Sequence, residues 1–185
     1  AMWRALERGE IDQAALATER FRRTFEKLGE VVDPFVFGEH YLSRLGEASF
    51  LLPEAEETVR SLADRATLVL LTNGLSRVQR SRFALSGITS FFDATIISDE
   101  VGAKKPDPAI FELAWEPYRG LPKEQLLMVG DSLSSDIRGG TNFGIDTCWY
   151  NPSNRPLPEE PRPTYAIRRL SELLTLDSAE PIERR

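Results

Sequence analysis

The chain has 185 residues, 41% of them hydrophobic, with one cysteine and a formal net charge of -6. This length suits one domain with a small appendage, and the acidic balance excludes a general nucleic-acid surface, which needs a basic field. Cys148 alone excludes an internal disulfide and fits a reducing, cytoplasmic setting, while no run reaches the ~18 apolar residues of a membrane span and no secretory signal opens the chain.

Residues 1–50 read as helical. Arg4–Gly9 already has the character of a helix interior and lacks a cap, so the chain is expected to begin inside an element. Asp12 is the expected cap of a helix whose apolar positions Ile11, Ala14, Phe21, Phe25 and Leu28 follow a three-four spacing, with Gly29 as its stop. Asp33-Pro34 predicts a second helix with Asp as cap and Pro in its first turn, carrying Phe35, Leu42 and Leu45 and ending at Gly46.

From Pro53 helix and strand alternate. The expected order is a helix over 54–63, a strand over 67–71 and a helix capped by Ser76 and stopped by Gly87. A strand over 94–97, a helix opened by Asp107-Pro108, a buried strand over 126–129 and a helix over 133–142 follow. A strand over 147–150, a proline-rich loop over 151–163, a weak strand over 164–167 and a helix over 170–174 complete the pattern. Strands separated by helices imply right-handed crossovers and a parallel sheet. The division is therefore a helical part, 1–50, an α/β core, 51–176, and a polar tail, 177–185.

Three fragments each follow an apolar run: Leu70-Leu71-Thr72-Asn73-Gly74, Gly102-Ala103-Lys104-Lys105-Pro106 and Met128-Val129-Gly130-Asp131-Ser132-Leu133-Ser134-Ser135-Asp136. Open α/β sheets bind ligands at the carboxyl ends of their strands, and hard cations need carboxylate oxygens beside a substrate phosphate. Each residue also has a plainer reading. Asp131 could cap the following helix, Asp136 could be a solvated helix acid, and Thr72 could be an ordinary strand residue before an Asn-Gly turn. His40 reads as a surface or packing residue, Cys148 as a small core residue, and Phe21 and Phe25 as the interior of the helical part.

In this order the three fragments resemble the haloacid dehalogenase superfamily, from about Leu52 to Tyr150, and most closely its phosphohydrolase branch with a small helical cap. The resemblance implies a doubly wound, Rossmann-like parallel α/β sheet with residues 1–50 as part of the cap. It implies a Mg²⁺-dependent phosphatase of small phosphorylated metabolites, nucleoside monophosphates included. Asp131 and Asp136 would serve the metal. The Thr72 hydroxyl, the Asn73 backbone and Lys105 would hold the phosphoryl group, with Lys104 left to solvent. The family's nucleophile, the first Asp of an Asp-x-Asp motif after the first strand, has no counterpart in these residues. The missing first strand would lie between those ending at Thr72 and Asp131, so the resemblance implies a preceding segment of about 40 residues. A non-catalytic phosphate-binding fragment, a metal-free dehalogenase and a phosphosugar mutase stay open as alternatives. Expected partners are a small phosphorylated substrate, with no nucleic-acid polymer and no membrane.

Overall fold

The computed structural model describes residues 13–178 and 182. The expected Asp12 cap, the expected helix over 4–9 and most of the polar tail lie outside the described residues. In chain order the elements are α1 (Gln13–Leu28), α2 (Pro34–Glu47), α3 (Ala55–Ala63), β1 (Val69–Thr72) and α4 (Ser76–Ser86). They continue with β2 (Ala94–Ile97), α5 (Ser98–Val101), α6 (Pro108–Trp115) and β3 (Leu127–Gly130). A π-helical turn (Leu133–Ile137) leads into α7 (Arg138–Phe143), then β4 (Asp146–Tyr150), β5 (Tyr165–Ile167) and a 3-10 run (Leu170–Ser178). No helix among the described residues is long and apolar enough to cross a membrane.

The residues fall into two compact units. One takes the described residues up to Ser49 together with Arg77–Leu85, and the other takes Phe50–Ser76 together with the described residues from Ser86 on. Most of α4, assigned by sequence to the α/β part, thus groups with the helical part.

In the first unit α1 gives way at Gly29, whose φ of 69° suits a residue without Cβ. The Asp33 carboxylate accepts from the Phe35 and Val36 N–H groups at 2.8 and 3.2 Å, opening α2 as its sequence predicts. Such a cap contributes about 1 kcal/mol. Gly46 does not end α2, which runs on to Glu47. Gly46 is buried, and the Ser81 hydroxyl donates to its carbonyl at 2.9 Å. Arg77 grips Glu39 through both fork nitrogens, at 2.6 and 2.7 Å, and holds that carboxyl below its ordinary pKa. Phe21 and Phe25, both half-buried, pack edge-on against Phe37, and Phe21 also against Tyr41. His40 is exposed.

The second unit is α/β and all its strand pairs are parallel. β1 pairs with β2, Leu71 opposite Ile96, while β3, β4 and β5 form a second sheet in that order. Helices separate the successive strands from β1 to β4, the Rossmann-like pattern expected from the sequence. α6 and α7 share a core in which Phe111 and Phe143 stack at 5.6 Å and Ile110 is fully buried. Burial of each such side chain contributes about 1.5–3 kcal/mol.

Two expectations fail here. β3 is not buried: Leu127 and Val129 are 39% and 36% exposed. Its apolar residues have β4 on one side only, and no described strand pairs with its other edge. Ser76 does not cap α4 either. Its own N–H is satisfied from the far end of β2, by the Asp99 carboxylate at 2.9 Å, and its hydroxyl donates to Glu100. The four-residue helix α5 that supplies both acids was not foreseen.

Candidate active site

Three chain segments converge at the carboxyl ends of β1 and β3, and Lys105 joins them. It lies between α5 and α6, and only 8% of its side chain is exposed. Its ammonium donates to the Leu71 carbonyl of β1 at 2.7 Å and pairs with Asp136 Oδ1 at 2.7 Å. A lysine has three donors, so one is left. Lys104, expected in solvent, is half-buried, and its carbonyl accepts from the Asp107 N–H at 2.9 Å where α6 begins.

Asn73, just past the end of β1, fixes the lysine from behind. Its side-chain amide donates to the Lys105 carbonyl at 2.8 Å and accepts from the Lys105 N–H at 2.9 Å. This paired clasp uses the Asn73 side chain, whereas sequence reasoning assigned only its backbone. Thr72 ends β1 beside it and is half-buried.

The loop after β3 separates the two acids. Asp136 is buried in the π-helical turn. Its Oδ1 faces Lys105, and its Oδ2 accepts from the Ser132 N–H at 3.0 Å. The reading of Asp136 as a solvated helix acid is therefore incorrect: both oxygens have partners inside the protein. Asp131 is not the cap of the following helix, because Ser132 takes that place and accepts from the Ser135 N–H at 3.2 Å. The Asp131 side chain is exposed and its carboxylate meets no donor among the described residues.

Gly130 makes this arrangement sterically possible. A Cβ there would lie 2.6 Å from Asp136 Cβ, with the carboxyl group nearer still. The residue that sequence reasoning missed is Trp149, fully buried and paired in register with Gly130. Its indole N–H donates to the Asp131 carbonyl at 3.1 Å. The only signal for it in the sequence was an aromatic in an apolar strand, which says nothing of a donor. Cys148 beside it is fully buried, and desolvation pushes its thiol up to about 12. It stays protonated at neutral pH and is no nucleophile.

The donor set suits a hard divalent cation. No group of three or more His, Cys, Asp or Glu side chains among the described residues could cage a metal. Mg²⁺ does not need one: it takes one or two carboxylates, waters and substrate phosphate oxygens. Asp131 presents such a carboxylate at a strand end, and the N–H of the next residue, Ser132, donates to Asp136.

Comparison with known proteins agrees with this geometry. The family model for haloacid dehalogenase-like hydrolases matches residues 2–144. Pyrimidine 5'-nucleotidase PynA of Streptococcus pneumoniae is 35% identical over 94% of this chain and 74% of its own length. Pyrimidine 5'-nucleotidase YjjG of Escherichia coli is 35% identical over 93% of this chain and 76% of its own. The crystal structure of the HAD-hydrolase YfnB of Bacillus subtilis, bound to magnesium, aligns with a TM-score of 0.88 at 34% identity, covering 94% of this chain and 76% of that one.

Proposed function

The chain belongs to the haloacid dehalogenase-like hydrolases, and from that premise we propose that it is a Mg²⁺-dependent phosphomonoesterase of small phosphorylated metabolites, nucleoside monophosphates among them. The observation that carries this reading is the buried Lys105–Asp136 pair beside the open Asp131 carboxylate, at the ends of β1 and β3. A dehalogenase releasing a halide has less use for an open, cation-ready carboxylate. The nucleoside monophosphate class rests on the two pyrimidine 5'-nucleotidases among the relatives.

In this mechanism Lys105 uses its remaining donor to neutralise a phosphoryl oxygen, where positioning and electrostatics dominate the rate. Asp136 and Asn73 hold the lysine in place, the first at its ammonium and the second at its backbone. The Thr72 hydroxyl and the Asn73 N–H, at the end of β1, would donate to the same group. Asp131 would hold Mg²⁺, with Asp136 behind it anchoring the next peptide through the Ser132 N–H; the ion would supply Lewis-acid polarisation of the phosphoryl oxygen when bound. The nucleophile of this mechanism would be the first carboxylate of an Asp-x-Asp pair, a motif these 185 residues do not contain. Its oxygen attacks phosphorus, the ester P–O bond breaks, the leaving oxygen takes a proton, and water then hydrolyses the aspartyl-phosphate.

The test is phosphate release by the full-length protein from UMP, CMP and dTMP. Release is expected with Mg²⁺ and should stop with EDTA. Asp131→Asn is expected to lower it by about 100-fold or more. Halide release from 2-chloropropionate without metal, with no phosphate released from any nucleotide, would overturn the reading in favour of dehalogenation.

A further inference from the structure

The peptide group joining Asp131 to Ser132 is held at both of its polar ends. Its carbonyl accepts from the Trp149 indole N–H at 3.1 Å. Its N–H donates to Asp136 Oδ2 at 3.0 Å. Bonds at both ends oppose rotation of this peptide plane, which fixes the backbone torsion on the far side of Asp131 and so the frame from which its side chain projects. We propose that Trp149 is the positioning residue for Asp131, and that its indole N–H sets how tightly the site takes a divalent cation. The proposal rests on the reading of Asp131 as a metal ligand.

The placement of Trp149 supports a directed role over simple filling. It is fully buried and lies opposite Gly130 in the parallel β3–β4 ladder, one residue before Asp131 leaves the sheet. The ladder has no described pair beyond Gly130 and Trp149, so the Asp131 carbonyl takes its bond from a side chain instead. The ring itself is held. The Arg155 guanidinium lies 4.8 Å from its centroid. Arg155 is held in turn by Asn151, whose amide donates to the Arg155 carbonyl at 2.9 Å and accepts from the Arg155 N–H at 3.0 Å. Asn151 is buried and anchored to β5 through its own N–H, which donates to the Ile167 carbonyl at 2.7 Å. A chain of contacts thus leads from β5 through Asn151 and Arg155 to Trp149 and Asp131. Asp136, at the other end of the same peptide, carries the Lys105 ammonium. The cation side and the phosphate side of the site share one rigid peptide plane.

Groups that orient a metal ligand from behind typically change affinity by 10–100-fold when removed. Trp149→Phe keeps an aromatic ring but leaves the Asp131 carbonyl without its donor. Mn²⁺ binding to the full-length protein, followed by the EPR signal of the free ion, is expected to weaken about tenfold or more. At saturating Mg²⁺ the KM for the nucleotide should stay within about twofold. Should Trp149→Phe fold poorly, site-specific replacement by 3-benzothienylalanine keeps the indole shape and removes only the N–H. The same weakening is expected from it. Unchanged Mn²⁺ affinity in either folded variant, with binding still abolished by Asp131→Asn, would overturn the proposal and leave Asp131 as ligand. Unchanged binding in Asp131→Asn itself would remove the metal-ligand reading, and this proposal with it.

Discussion

Lys105→Met is expected to lower stability by about 3–5 kcal/mol and turnover by at least about 100-fold. The two losses have different origins and can be separated. Removing the ammonium leaves Asp136 as a buried charge without its partner, since 8% of either side chain is exposed. The Ser132 N–H and the Ser135 hydroxyl, the latter at 3.4 Å, cannot balance that charge. Asp136→Asn in the same background removes the charge and keeps an acceptor for Ser132. The double variant should therefore regain much of the stability lost by Lys105→Met and none of the turnover. Chemical denaturation of the parent, the two single variants and the double variant closes the cycle. Additivity within about 0.5 kcal/mol would mean that the two groups do not act as a pair.

Gly130→Ala should reach nearly the same phenotype by a steric route. The new methyl would sit 2.6 Å from Asp136 Cβ, well inside van der Waals contact. Asp136 cannot yield cheaply, because its two oxygens are held by Lys105 and by the Ser132 N–H. Either the strand end shifts or the carboxylate leaves its partners. Overpacking of this kind costs about 1–3 kcal/mol, and displacement of Asp136 should take turnover down with it. Gly120→Ala is the matched control. Nothing lies within 4 Å of its added methyl, so its stability should stay within about 0.5 kcal/mol of the parent. A Gly130→Ala protein with parental melting temperature and turnover would refute this account of the site.

The parts of the fold that depend on neighbours in sequence were readable from it. Asp33-Pro34 and Asp107-Pro108 each open a helix, and the Asp107 carboxylate accepts from the Ala109 N–H at 2.9 Å. The apolar runs at 94–97 and 147–150 are strands to within a residue. Features set by distant partners were not readable. Ser76 looks like a cap, yet the acids that satisfy it come from 23 and 24 positions further on. Leu126–Val129 is apolar enough for a buried strand, yet burial depends on what pairs with β3 and covers it, which composition does not encode. The same limit applies at the site. The spacing of Asp131 and Asp136 marks two acids after a strand, but their division of labour follows from Lys105, 31 residues before Asp136. Trp149 was legible as an interior aromatic, and its donor role follows only from its register against Gly130.

The Asn73 clasp also bears on how the protein ages. Asn73-Gly74 is an asparagine–glycine step, the dipeptide most open to cyclisation and loss of side-chain ammonia, because glycine does not shield its nitrogen. Cyclisation needs the Asn73 side chain to swing onto the Gly74 nitrogen. Both polar atoms of that side chain are instead engaged with the Lys105 backbone. Folded protein should therefore deamidate at Asn73 more slowly than the same sequence in a denatured digest, as mass analysis of the peptide over weeks of storage would show. Equal rates would mean that the clasp opens freely. Conversion to Asp would set a carboxylate oxygen against the Lys105 carbonyl in place of the amide donor, and the lysine would lose that anchor. The clasp that holds Lys105 in place thereby also protects the site from this chemical damage.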